Sequence, residues 1–102
     1  MTVPQLSIGS QTARVLGEVA SMTIRILDAY GVGDVRIAMD TSFHEDLEME
    51  SIDLVTLAGM LAQTYGERVN LAEYLAEKDL AEVIALTIGD IVTYVVGQTE
   101  RR

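Results

Sequence analysis

The residues with chemistry to offer gather in one stretch, Phe43-His44-Glu45-Asp46-Leu47-Glu48-Met49-Glu50-Ser51-Ile52-Asp53-Leu54-Val55. It holds the only histidine, five carboxylates and a serine at the point where a polar, acidic approach gives way to an apolar run. A nucleophilic serine needs a base that a third group orients. His44 is the one base near Ser51, seven residues back, and nothing in the sequence supplies the orienting group. Carboxylates such as Asp46 and Glu50 can in principle do acid–base work, but they lie in an acidic stretch with no visible cleft partner. With no cysteine and a single histidine, a zinc site of the ordinary kind is excluded, as are disulfides. Ser51 therefore reads as a residue acted upon rather than one that acts, and His44 as a loop residue without catalytic duty. A serine before an apolar-periodic run marks a helix start, because its oxygen can accept a bond from an orphan N–H. That end of a helix also favours phosphate, since free N–H groups and the helix dipole both point at it.

The element that must present Ser51 is a helix over residues 51–65. Leu54, Leu57, Ala58, Leu61 and Tyr65 recur at helical spacing and define its inner face. Ile52, Val55, Thr56, Gly59, Met60 and Gln63 fall on the opposite face. Gly59 inside a helix costs about 1 kcal/mol relative to Ala, so another backbone or a partner is expected to approach it. A first helix is predicted over 11–30 from Val15, Leu16, Val19, Met22, Ile26, Leu27 and Tyr30, with Ser10 as cap and Gly31 and Gly33 as stops. Residues 1–10 read as a flexible tail in which Pro4 discourages helix, and 98–102 as a polar tail. The connection over 31–50 is long enough to suggest function. Its alternation of Val35, Ile37 and Met39 has no partner strand, so it reads as an extended loop pinned to the core by Phe43. Asn70 is a cap for a short segment over 71–77; a second, over 80–85, presents Leu80, Val83 and Ile84, and whether the two form one bent helix stays open. Thr87 caps a last helix over 88–96, with Ile88, Ile91, Val92 and Val95 inward and Gly97 as its stop. The fold class expected is all-α, a small bundle of three to four helices with a long loop between the first two.

Composition narrows the partners. The chain has 102 residues and suits one domain, here 11–97, with a core that must be largely aliphatic because there are four Tyr, one Phe and no Trp. The net charge is −9, and no Lys or Arg lies between residues 37 and 67, which hold seven carboxylates. No basic stripe exists to neutralise phosphates, so nucleic acid is not an expected partner. Basic patches on other proteins are. No segment approaches the roughly 18 apolar residues of a membrane span. The first ten residues lack the features of a signal peptide. The expectation is a discrete, monomeric cytoplasmic protein with no membrane partner.

Two phrases carry a family resemblance. Phe43-x-x-Asp46-Leu47 followed by Glu50-Ser51-Ile52-Asp53-Leu54-Val55 resembles the signature of acyl carrier proteins, and Leu86-Thr87-Ile88-Gly89-Asp90-Ile91-Val92-Thr93-Tyr94-Val95 resembles their last helix. The likeness spans the chain from the first helix onward. The family usually has Asp-Ser-Leu where this chain has Glu50-Ser51-Ile52, and the chain is several residues longer after Gly66. The resemblance implies the helical-bundle fold and a 4′-phosphopantetheine arm on Ser51, donated by coenzyme A through a phosphopantetheinyl transferase. It implies acyl groups held as thioesters, for fatty acid, polyketide or related biosynthesis, and no catalysis by the chain itself. It further implies docking by acyl-loading, ketosynthase or acyltransferase-type enzymes, with Glu48, Glu50, Ile52, Asp53, Val55, Thr56 and Met60 as contact candidates. Many members carry several carboxylates along this helix, whereas here only Asp53 does and the other acids precede it. Leu57, Leu61, Ile84, Ile91 and Val95 are candidates for lining a cleft that shields the acyl chain. Two alternatives stand beside this reading: a peptidyl carrier, although Leu47-Glu48-Met49-Glu50 lacks the Gly-Gly pair usual there, and an unmodified interaction module that keeps the carrier shape.

Overall fold

A computed structural model describes residues 3–32 and 35–100, with side chains over 11–32 and 35–99. Five helices follow one another: α1 (Val3–Asp28), α2 (Ser51–Tyr65), α3 (Leu71–Ala76), α4 (Leu80–Ile84) and α5 (Ile88–Glu100). The all-α expectation holds, and among the described residues no strand forms. α1 packs against both α5 and α2, and α3 leans on α2. Val15, Val19, Met22 and Ile26 from α1 meet Leu54, Leu57 and Leu61 from α2 and Ile88, Ile91, Val92 and Val95 from α5, all buried. The apolar spacing that predicted these helices is thus the spacing that fills the core.

The ends of the helices depart from expectation in two places. α1 begins at Val3, so the backbone over 3–10 is helical rather than a loose tail. Pro4 falls in the first turn, where an N–H has no intrahelical acceptor and its absence costs nothing. α5 runs through Gly97 to Glu100. Gly97 does not stop it, and in the helical continuation Gln98 donates from its side chain to the Arg68 carbonyl, 3.0 Å away. Gly31 does act as expected. It adopts φ +85°, the N–H of Gly31 donates to Asp28 and that of Val32 to Leu27, which closes α1 in a Schellman turn. Gly33 lies outside the described residues, as do Met1, Thr2 and the last two arginines of the polar tail.

Asn70 and Thr87 cap as their types predict. The Asn70 side chain accepts from the Glu73 N–H, and Thr87 and Asp90 exchange reciprocal bonds. The segment between is two helices, broken at Lys78 and restarted by a capping box between Asp79 and Glu82. Tyr94 ties α5 to the start of α3: its hydroxyl accepts from the Asn70 N–H and donates to the Asn70 carbonyl, and its ring stacks on Tyr74 at 4.4 Å.

The long loop is held by main chain. The Phe43 N–H donates to Leu86, the Ile88 N–H to Thr41 and the Gly89 N–H to Met39. An isolated antiparallel bridge pairs Ser42 with Thr87. Phe43, 1% exposed, fills the space beneath this seam. Gly89 is required by it: a Cβ there would stand 2.7 Å from the Met39 carbonyl oxygen. Gly59 differs, since nothing lies within 4 Å of a Cβ built on it, so no neighbouring backbone explains that glycine.

The two glycines should respond to alanine in opposite directions. Gly89→Ala should destabilise by about 1–3 kcal/mol, as overpacking against a fixed carbonyl does. Gly59→Ala should stabilise by about 0.5–1 kcal/mol through helix propensity. Urea unfolding of both variants measures this, and a Gly89→Ala midpoint at or above wild type would contradict the seam.

Candidate functional site

The loop delivers Ser51 to the surface through a short turn. Glu48 takes φ +55° and Met49 turns inward, its N–H donating to the Phe43 carbonyl at 2.8 Å. Leu47 and Met49 are buried while Glu48 and Glu50 point out. Glu50, not Ser51, is the N-cap of α2, with Ser51 the first helical residue. Ser51 therefore stands at the positive helix end, as its spacing predicted, but its hydroxyl caps nothing. It is exposed and has no hydrogen-bond partner among the described residues. The N–H groups of Ser51 and Ile52 likewise have no main-chain acceptor among those residues, whereas those of Asp53 and Leu54 donate to the Glu50 carbonyl.

Asp53 has a different position from the one its sequence suggested. It is 6% exposed, so its side chain offers little surface to a partner. As the third residue of the helix it folds back: one carboxylate oxygen accepts from the Glu50 N–H at 2.9 Å, the other from the Tyr30 hydroxyl at 2.5 Å. This takes one negative charge off the surface beside Ser51. The bond to Asp53, then the nearby charges of Asp53 and Glu50, raises the Tyr30 phenol above the usual tyrosine range. Burial, then a bond to Glu18, does the same for Tyr65. Tyr30 was expected among inward residues of the first helix. Its ring is 63% exposed and only its hydroxyl is engaged, a role that no local pattern announces across 23 residues of chain.

The remaining docking candidates divide. Glu48, Glu50, Ile52, Val55 and Thr56 are exposed, with Ile52 and Val55 each at 65%. Thr56 spends its hydroxyl on the Ile52 carbonyl of its own helix. Met60 is half-buried and packs against the core, so it belongs only partly to that face.

Two clefts flank the first turn of α2. One, of about 220 Å³, is lined by Ser51 itself with His44, Leu54, Leu80, Val83 and Ile84 over a floor of Phe43 and Met49. The other, of about 330 Å³, lies toward α1 and is bounded by Tyr30, Val32, Glu50, Ile52 and Asp53. Of the five residues expected to line a shielding cleft, only Ile84 does. Leu57, Leu61, Ile91 and Val95 are fully buried core. They satisfied the inward spacing so well that no side of them is left open. No described hydrogen bond joins His44 to Ser51, although both line the same cleft. Among the described residues no cluster of acidic, histidine or cysteine side chains could hold a metal ion, and no helix is long and apolar enough to cross a membrane.

A serine hydroxyl displayed at a helix start beside an apolar cleft, with no base bonded to it among the described residues, suits a covalently attached group. Comparison with known proteins supplies the group. Residues 23–87 match the family described as the phosphopantetheine attachment site, and the chain belongs to that family. The family attaches 4′-phosphopantetheine as its prosthetic group, and the chain's function is that of a carrier through this arm. The acyl carrier protein of Clostridium acetobutylicum is 31% identical over 75 residues, which cover 74% of this chain and 87% of the relative. No solved structure matches the chain significantly.

The geometry predicts the titration of Tyr30. Its phenol should ionise above the ordinary tyrosine value, and Asp53→Asn should bring the midpoint down by removing the acceptor charge. Because the folded value is raised, the stabilisation from this contact is present below the unfolded value near pH 10 and is lost as pH climbs through the folded one. NMR of ring-labelled tyrosine, with Tyr30→Phe for assignment, measures it; equal Tyr30 midpoints in wild type and Asp53→Asn would contradict the contact.

Proposed function

We propose that Ser51 is the attachment point of the 4′-phosphopantetheine arm and that this chain carries acyl groups for biosynthetic enzymes without catalysing their reactions. The observation that carries the reading is the exposed, unpartnered Ser51 hydroxyl at the first position of α2. The surroundings fit the group. The unpaired N–H groups of Ser51 and Ile52 suit a phosphate diester at a helix start. The buried Asp53 has each carboxylate oxygen engaged by a donor, Tyr30 on one and the Glu50 N–H on the other. The arm supplies a thiol that holds acyl groups as thioesters, which no residue of this cysteine-free chain can do.

Installation requires the Ser51 oxygen to bond to the pantetheine-side phosphorus of coenzyme A. The pyrophosphate bridge to that phosphorus breaks, adenosine bisphosphate leaves with the bridging oxygen, and the hydroxyl proton passes to a base. The transferase provides that base in this reading, because no base among the described residues is bonded to Ser51. The chain's own residues then do three things. The first turn of α2 fixes where the arm begins. Leu54, Leu80, Val83 and Ile84 offer an apolar wall beside it. Glu45, Asp46, Glu48 and Glu50 present an exposed negative field, and Ile52 and Val55 an exposed apolar one. Basic enzymes are steered by the first and held by the second. The reading includes a monomeric, cytoplasmic protein.

Incubation with coenzyme A and a promiscuous phosphopantetheinyl transferase should raise the intact mass by one phosphopantetheinyl group. Ser51→Ala should abolish the gain while leaving the circular dichroism unchanged. An unmodified wild type would favour the interaction module, and labelling that persists in Ser51→Ala would move the attachment elsewhere.

Binding kinetics to the transferase should separate steering from holding. Raised salt should slow association with little effect on dissociation. Val55→Ala should speed dissociation about tenfold at any salt, the effect of a contact of about 1–2 kcal/mol. Dissociation indifferent to Val55 would show that α2 is not the holding face.

A further inference from the structure

The turn that closes α1 and the first turn of α2 are joined by a side-chain hydrogen bond that core packing does not require. Tyr30 is 63% exposed, so its ring adds little to the core. Its position is nonetheless set, because its own N–H donates to Leu27 and the Schellman turn at Gly31 follows directly. From there its hydroxyl donates to one oxygen of the buried Asp53, whose other oxygen accepts from the Glu50 N–H. Glu50 caps α2 and Ser51 is the next residue. A line of hydrogen bonds therefore runs from α1 to the residue beside Ser51.

Two donors on two oxygens fix both the plane and the depth of a carboxylate. With the Glu50 donor alone, Asp53 is free to turn toward the cleft of about 330 Å³ that Tyr30, Glu50, Ile52 and Asp53 itself help to line. Water in that cleft can take the place of the phenol, so losing the hydroxyl loosens the first turn without unfolding the bundle. We propose that Tyr30 is a positioning residue for Ser51: through Asp53 it holds the start of α2, and with it the serine hydroxyl, in the geometry from which the arm is installed. This rests on the reading of Ser51 as the attachment point. The hydrogen bond described for the hydroxyl is to Asp53, and its loss leaves the exposed Ile52 and Val55 side chains in place, so it acts on the chemical step rather than on docking.

The test is steady-state phosphopantetheinylation of the full apo chain with coenzyme A, below the melting temperature of every variant. Tyr30→Phe should lower kcat about tenfold, the scale of a small misplacement of a reacting atom. KM for the carrier should stay within about twofold. Combining Tyr30→Phe with Asp53→Ala should add nothing to Asp53→Ala alone, since both remove the same link. If Asp53→Ala does not fold, Asp53→Leu replaces it: it keeps bulk at the buried position and offers neither donor nor acceptor to Tyr30. Wild-type kcat in Tyr30→Phe, a loss confined to KM, or additive losses in the double variant would each overturn the proposal while leaving Ser51 as the attachment point. An unlabelled wild type would overturn both.

Discussion

The placement of Ser51 depends on the main-chain seam between the long loop and the junction of α4 with α5. A loop without regular structure carries a donor and an acceptor at nearly every residue, and burying them unpaired costs about 1–3 kcal/mol each. Here the loop hands those groups to Leu86, Ile88 and Gly89. Pairing allows the loop to press against the bundle, and pressing brings Phe43 into the core. The ring and the seam each make the other possible. Once Phe43 is fixed, five residues separate it from Met49, which is also buried, and the chain has little freedom left before Ser51. The attachment candidate is thus located by a loop anchored to the junction of α4 with α5 as much as by the helix it begins.

Around that point the surface is divided by chemistry. Carboxylates of the loop face solvent on the approach to Ser51, while apolar residues follow it along α2. Their order along the chain becomes a spatial order, because the helix starts where the acids stop. The apolar cleft draws on α4, a helix of only five residues with no buried side chain. Such a short element has few contacts to hold it, and short, sparsely packed elements open at lower free energy than core helices. Leu80 and Ile84, the exposed side chains at the rim, sit on that least anchored element. Leu54 belongs to both the cleft and the core, but Leu80, Val83 and Ile84 stand outside the buried core, so the adjustable side of the cleft is separate from the packing that sets stability.

Much of this was legible in the residues. Leu54, Leu57 and Leu61 repeat at the helical period and are buried; Asn70 and Thr87 cap because their short polar side chains reach nearby N–H groups; Phe43, the sole Phe, pins the loop. All are local in cause, or follow from burial of the most apolar side chain at hand. The departures are equally specific. Pro4 discourages helix by its type, yet a first turn tolerates it; Gly97 is a stop by its type, yet α5 runs through it. Gly59 and Gly89 look alike in sequence, yet only the second meets a carbonyl.

By itself the sequence determined the helical class, the position of the helix start at Ser51, the negative charge of its approach and the absence of any thiol of its own. These follow from composition, from periodicity and from side chains acting on backbone a few residues away. Only the tertiary structure decided that Asp53 turns inward to Tyr30, that the cleft belongs to Leu54, Leu80, Val83 and Ile84 rather than to Leu57, Leu61, Ile91 and Val95, and that Gly89 has no room for a Cβ. Each of these depends on groups brought together from distant parts of the chain. An exposed and a buried carboxylate are the same residue type in sequence, and what separates them is whether a partner from another helix arrives within hydrogen-bond distance.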